Sequence, residues 1–299
     1  MVNYTLGTWP GRNSMDIIFV TYGSYGNYVD AGSRLVRQAN SLKIFTQSYL
    51  MTDADLCSKS QTWREWSSNL EKQDYPNRYH QAGKAFLVQY IMKNICKEND
   101  VIMYADVGCE IVSNLWSRIT MKRLIKKVIS HGGLAEQLDY PEENYTKSEL
   151  LKYFGNKIEL SKSGQIQNTF FILRCDSQSK DIIDKWIEII NPSTGLWRDP
   201  VTRKNEKPFF VDHRRDQSIF SLLWKQSGLP VKKPYWRFGA KFGSWRGLTE
   251  PIHTSRNRSG ISKLPNFQNL ILAVFIGYLL NTFALLRRSI TNLFVTDQS

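Results

Sequence analysis

The sequence predicts an α/β fold, a central sheet with helices on its faces, on three observations. A strand-like run over residues 16–22 passes through a glycine-bearing turn, Gly23 to Asn27, into a helical pattern. Apolar runs of strand length then alternate with segments of helical period along the chain. A third strand-like run, residues 101–104, ends almost at once in a carboxylate, Asp106. At 299 residues, 41% hydrophobic and 22% charged, with no low-complexity tract, the chain is long enough to bury a full core as one large or two small domains.

Residues 16–22 read Asp-Ile-Ile-Phe-Val-Thr-Tyr, and a helix is expected over about 29–42. A strand, a glycine-bearing turn and a helix in that order describe the opening unit of an α/β nucleotide-binding fold, although no G-x-G-x-x-G is present. Arg34 and Arg37, three apart, share a helix face; they either reach a phosphate or form the solvated side. Residues 43–51 read as a second strand, followed by Asp53 and Asp55 at D-x-D spacing, a rival metal site or a helix cap. Residues 58–79 are polar and Trp-containing, without a clear period. From Gln81 the spacing of Phe86 and Tyr90, and of Leu87, Ile91 and Ile95, predicts an amphipathic helix. Lys84, near its start, either approaches a pyrophosphate or stays solvated.

The strand at 101–104 runs into Ala105, Asp106, Val107, Gly108, Cys109 and Glu110. A carboxylate at the C-terminal edge of such a strand sits where open α/β sheets bind ligands. Two hard oxygen donors there suit Mg²⁺ or Mn²⁺, above all one shared with phosphate oxygens. The alternative is a turn at Asp106 with Gly108 supplying a positive φ. A basic helix is expected over 115–130, a helix start at the capping-box pair Thr146 and Glu149, a strand over 165–174, and an amphipathic helix over 181–190. Gln165, Gln167 and Asn168, at the strand's entry, offer amides to sugar hydroxyls. The polar block His213 to Ser218 precedes an apolar helix at 219–224, which Asp216 or Ser218 could cap. The polar loop 252–258 brings His253 near Arg256 and Arg258.

The formal charge of +13 is uneven: residues 201–263 hold 14 Lys or Arg against 4 Asp or Glu, a field that attracts phosphates. Aromatics interleave with cations at 234–238 and 241–246, to stack on bases or sugar faces or to fill the core. Cys57, Cys96, Cys109 and Cys175 match no C-x-x-C spacing, and Cys96 and Cys175 read as small core residues, so nothing asks for an oxidising compartment. The N-terminal residues lack the basic and apolar regions of a signal peptide. Residues 270–286 are almost wholly apolar, with Arg256, Arg258 and Lys263 before and Arg287 and Arg288 after. That segment spans a bilayer, lies on its surface or packs as a buried C-terminal helix.

Together these stretches resemble glycosyltransferases of the GT-A fold, the nucleotide-diphospho-sugar transferases, from about residue 16 to 258. Residues 100–110 are similar to that family's strand ending in a DxD-like acid. His213, Arg214, Arg215, Asp216, Gln217 and Ser218 resemble the H-R-x-D-Q-S block of several bacterial and viral transferases, and the Asp-Gln pair points to a GT8-like group. The resemblance implies a mixed central sheet with flanking helices over 1–263, followed by a C-terminal apolar helix and tail over 264–299. It implies a nucleotide-diphospho-sugar donor, a glycan or lipid-linked acceptor, and Mn²⁺ or Mg²⁺ held by Asp106, Glu110 and His253. Donor contacts fall to Asp106, Lys84, Gln167, Asn168, His213, Arg256 and Arg258, and catalysis to Asp216 and Gln217. It implies a cytoplasmic enzyme with 264–299 as the means of any attachment to a membrane surface. One departure matters: Gly108 stands where the second acid of a D-x-D belongs, so Glu110 or His253 substitutes, or the enzyme uses metal less than its relatives. The rival readings are a scaffold that binds glycan, or nucleic acid, without catalysis. Nucleic acid is disfavoured because carboxylates in a groove repel its phosphates.

Overall fold

In the computed structural model the described residues are 2–5, 15–68, 79–232 and 251–262. In chain order the elements are β1 (Val2–Thr5), β2 (Ile17–Tyr22), α1 (Asn27–Ser41), β3 (Gln47–Met51), α2 (Asp53–Lys59), α3 (Gln61–Ser68), α4 (Gly83–Asn94), β4 (Val101–Ala105), β5 (Glu110–Ile111) and α5 (Leu115–His131). There follow β6 (Gly133–Pro141), α6 (Glu142–Tyr145), α7 (Ser148–Tyr153), α8 (Ile158–Lys162), β7 (Gly164–Arg174), α9 (Ser177–Ile189), α10 (Asp216–Ser227), β8 (Val231–Lys232) and β9 (Ile252–His253).

The mixed sheet and flanking helices are present. Seven strands pair in the order β1-β3-β2-β4-β7-β6-β8, and β5 pairs β9 in a separate ribbon. β3, β2 and β4 run parallel, while β7 is antiparallel to both β4 and β6. Every residue of β2 and β4 is buried, as expected of strands covered on both faces. Successive side chains serve opposite cores. Ile18, Val20, Ile102 and Tyr104 pack with Phe86 and Leu87 of α4 and Phe220 of α10, whereas Ile17, Phe19, Val101 and Met103 pack with Leu35 of α1 and Ile125 of α5.

Several expectations change in detail. The second strand begins at Gln47, because Lys43 turns the chain with φ 52°. The polar stretch without a period contains α3, whose Trp63 and Trp66 stack at 5.3 Å and both meet Phe86 of α4. Asp55 and Thr52 cap α2 reciprocally, and Asp53 accepts from the Tyr22 hydroxyl, so the D-x-D at 53–55 is a helix start and no rival metal site. The Thr146–Glu149 box does not form: Thr146 donates its hydroxyl to buried Glu142 at 2.7 Å, which also receives the Lys225 ammonium at 2.8 Å. Satisfying a buried carboxylate outweighs an exposed cap. Among the described residues no helix is long and apolar enough to cross a membrane. The tail 264–299 and the aromatic–cation stretches at 234–238 and 241–246 lie outside them.

Arg34 is neither solvated nor at a phosphate. It is 3% exposed, and its guanidinium donates to four main-chain carbonyls. Two belong to the turn after β4, Val107 at 2.8 Å and Cys109 at 2.7 Å, and two to the loop after β9, Asn257 at 3.0 Å and Ser259 at 2.6 Å. Arg34→Ala leaves those carbonyls without this donor and is expected to cost about 3 kcal/mol, read as a lower urea midpoint at unchanged m-value.

Candidate active site

The parallel strands point their C-terminal ends at one edge of the sheet, the edge where such folds place ligands. Tyr22 closes β2 there, and Asp106 follows β4, its main-chain N–H donating to the Thr169 carbonyl of β7 at 2.8 Å. Lys84, in the first turn of α4, enters from the helical side. Its Nζ lies 3.1 Å from Asp106 Oδ1 and 3.3 Å from Asp216 Oδ2. Tyr104 donates its hydroxyl to Asp106 Oδ1 at 2.6 Å, and Asn168 donates its amide to Asp216 Oδ2 at 2.7 Å.

The triad is strongly buried on one side: Lys84 and Asp216 are each 6% exposed. Burial pushes the Asp216 carboxyl up in pKa, against the pull of Lys84 and Asn168, whereas for Lys84 burial lowers and the two carboxylates outweigh it, leaving its pKa raised. Burial and the neighbouring Asp106 charge push the Tyr104 phenol well up, so it stays a protonated donor.

Local backbone explains how these groups meet. α10 starts after Arg215, at φ 43°, without any side-chain cap. Asp216 does not cap the helix; its carboxylate is spent on Lys84 and Asn168, at the positive end of the helix dipole. On β7 the register slips: Ala135 faces Phe171 but Glu136 faces Gln167, so residues 168–170 bulge. The bulge lets Gln167 and Thr169 line the cavity while Asn168 reaches Asp216.

Beside the triad opens a cavity of about 390 Å³. Its wall carries Lys84, Asp106, Gln167, Arg256 and Arg258, all anticipated, and Gly108. It also carries Tyr22, Tyr25 and Tyr28, which the sequence did not single out; three tyrosines at three-residue spacing in and beside the Gly23–Asn27 turn were the available signal. The Arg258 guanidinium sits 5.4 Å from the Tyr28 ring centre. Asp216 and Asn168 stand directly behind Lys84, not on the wall. Gln217 donates to Gln165 Oε1 at 2.6 Å and also lies off the wall.

Two groups of predicted residues are placed otherwise. His213 is 0% exposed in the core, its Nδ1 receiving the Lys147 N–H at 3.4 Å and its Nε2 within 3.1 Å of the Leu196 carbonyl. It ties two chain segments together, and burial, with Lys147 nearby, lowers its pKa to about 3. The proposed metal set is not gathered: among the described residues no three of His, Cys, Asp and Glu come together to hold an ion. Glu110 and His253 are register partners in the β5–β9 ribbon, and Glu110 is fully buried against Ser262. The wall itself argues against a cation, since its described residues set Lys84, Arg256 and Arg258 against Asp106 alone. Among the described residues, the groups on this wall do not make a donor set for Mn²⁺ or Mg²⁺. Gly108 is also absent from the positive-φ glycines, so a turn requiring left-handed backbone is not what holds glycine there.

No family model matches the chain, and no curated protein sequence matches it. Solved structures similar to it include the apo form of mouse xyloside xylosyltransferase 1, at 10% identity over 74% of this chain and 85% of that one, with TM-score 0.39. GlyE, a glycosyltransferase of Streptococcus pneumoniae TIGR4, is 12% identical over 78% of this chain and 49% of its own, with TM-score 0.39. Core-mannan synthase A of Aspergillus fumigatus, in its Mn/GDP form, is 7% identical over 76% and 74%, with TM-score 0.39. At that score none of these likenesses transfers a fold or a function to this chain.

Removing the cation that compensates Asp216 tests the triad. Lys84→Met is expected to lose about 3 kcal/mol near pH 7, with the loss shrinking on acidification as Asp216 takes up a proton, measured by denaturant unfolding across pH. His213 gives the opposite dependence, because its depressed pKa makes the unfolded chain the better proton binder. Stability falls by up to about 1.4 kcal/mol per pH unit below the ordinary histidine value, and that part of the slope is missing in His213→Asn.

Proposed function

We propose that this protein is a glycosyltransferase that takes a sugar from a nucleotide-diphosphate donor. The observation that carries the reading is Lys84 and Asp106 on the wall of a cavity, with Asp216 paired to Lys84 behind it, where the other charged residues among those described are Arg256 and Arg258. Such a wall suits a ligand that is anionic along one part and rich in hydroxyls along another. The sequence block from His213 to Ser218 supports the same class by its resemblance to nucleotide-diphospho-sugar transferases.

In this reading the nucleoside lies against Tyr25 and Tyr28, whose rings give a base or ribose a flat apolar surface. The diphosphate faces Arg256 and Arg258, whose planar forks match phosphate oxygens in pairs. The sugar meets Asp106, Lys84 and Gln167, with Asp216 and Asn168 reached from its inner side. As the bond from the anomeric carbon to the diphosphate breaks, negative charge grows on the leaving oxygen, and fixed cations stabilise it without reorganising. The acceptor hydroxyl must lose a proton, and Asp216, whose carboxyl pKa is raised by burial, is the candidate base. Gln217 positions the segment through Gln165. A glycan or lipid-linked acceptor, brought to a membrane surface by the 264–299 tail, completes the proposal.

The test is transfer or donor hydrolysis by the full chain over a panel of nucleotide-sugars, with Asp216→Asn alongside. Substitution of a group that moves the proton is expected to lower turnover by about 100-fold or more while nucleoside diphosphate still binds. Turnover that survives the substitution nearly intact would remove Asp216 from the chemistry.

A further inference from the structure

We propose that this chain binds the diphosphate of its donor without a divalent ion, the loop that bears Arg256 supplying beside Asp106 the positive charge that an ion would bring. The inference rests on the nucleotide-sugar reading above and narrows how that site handles charge.

Gly108 stands where the resemblance to DxD-bearing transferases would put a second metal-binding carboxylate. A Cβ built there meets the Arg256 Cα at 3.5 Å and its carbonyl carbon at 3.8 Å. A methyl group fits there at ordinary contact distance, and Gly108 itself lines the cavity. The loop is not free to withdraw. The Asn257 N–H donates to the Gly108 carbonyl at 3.0 Å, the Ser255 hydroxyl donates to the same oxygen at 3.2 Å, and Arg34 clamps both segments. Arg256 itself is held at φ 53°, left-handed backbone that a residue with a side chain adopts only when its surroundings impose it.

The charges agree. A hard divalent ion prefers several anionic oxygens, yet Asp106 on this wall already receives Lys84 at 3.1 Å, and Arg256 and Arg258 repel a second cation. Lys84, Arg256 and Arg258 outnumber Asp106 on the described wall, so arginine and lysine supply positive charge that a metal ion would otherwise bring.

Isothermal titration of the full chain with UDP, GDP and ADP, once in excess EDTA and once in excess Mn²⁺, decides the matter. At least one diphosphate is expected to bind in EDTA, with Mn²⁺ changing its affinity by less than about twofold. Arg256→Gly keeps the left-handed backbone comfortable while removing the guanidinium, so it should fold and weaken binding in EDTA by about tenfold or more, with Arg256→Lys recovering part. Binding that appears only with Mn²⁺ overturns this inference and leaves the nucleotide-sugar reading standing. Unchanged binding by Arg256→Gly overturns the role of the guanidinium. A cooperatively melting chain that binds none of the diphosphates in either condition overturns the nucleotide-sugar reading, and this inference with it.

Discussion

An ammonium group that is 6% exposed persists only with anions in reach, and three separate elements converge to give Lys84 its two. Asp106 comes from the end of a parallel strand, Asp216 from an uncapped helix start, and Lys84 from the first turn of a third element. Each is costly alone: a buried lysine, a buried aspartate and a helix that forgoes its cap. Together they compensate one another, and the geometry of the sheet edge follows from keeping all three within about one hydrogen-bond length. The same compensation leaves the neighbouring cavity rich in positive charge, because Asp106, the carboxylate on its described wall, is already paired with Lys84.

Much of the scaffold was legible in the sequence. The runs at 16–22 and 101–104 are apolar enough to be recognised as doubly covered strands, and α1, α4, α5 and α9 follow a helical period. Strand β6, Gly133–Pro141, was not anticipated, since Ala, Glu, Gln and Asp dominate its middle and no β-branched residue marks it; pairing with β7 makes it a strand. α3 escaped because its two tryptophans, three apart, give too short a stripe to establish a period.

The site was legible in part, and the division has a physical pattern. Residues near a strand or helix end were singled out, Asp106 as a carboxylate closing an apolar strand, Asp216 within a polar block before an apolar helix and Lys84 near a helix start. The side of a loop that a residue occupies was not legible. His213 looks like a ligand beside two arginines, yet the chain folds its ring inward to link Lys147 with Leu196. Glu110 follows Asp106 by four positions, but β5 turns it into the interior. Tertiary direction, absent from spacing along a chain, separates these cases.

The acceptors of the Arg34 clamp are all main-chain oxygens, those of Val107, Cys109, Asn257 and Ser259. A carbonyl is offered by every amino acid, so the clamp asks for a path of the chain and not for particular side chains along it. The two loops around the cavity can therefore exchange residues over evolutionary time while their spacing is kept. One arginine, deep in a helix and remote in sequence from what it organises, sets the distance between the two loops at the mouth of the site through their main chains alone.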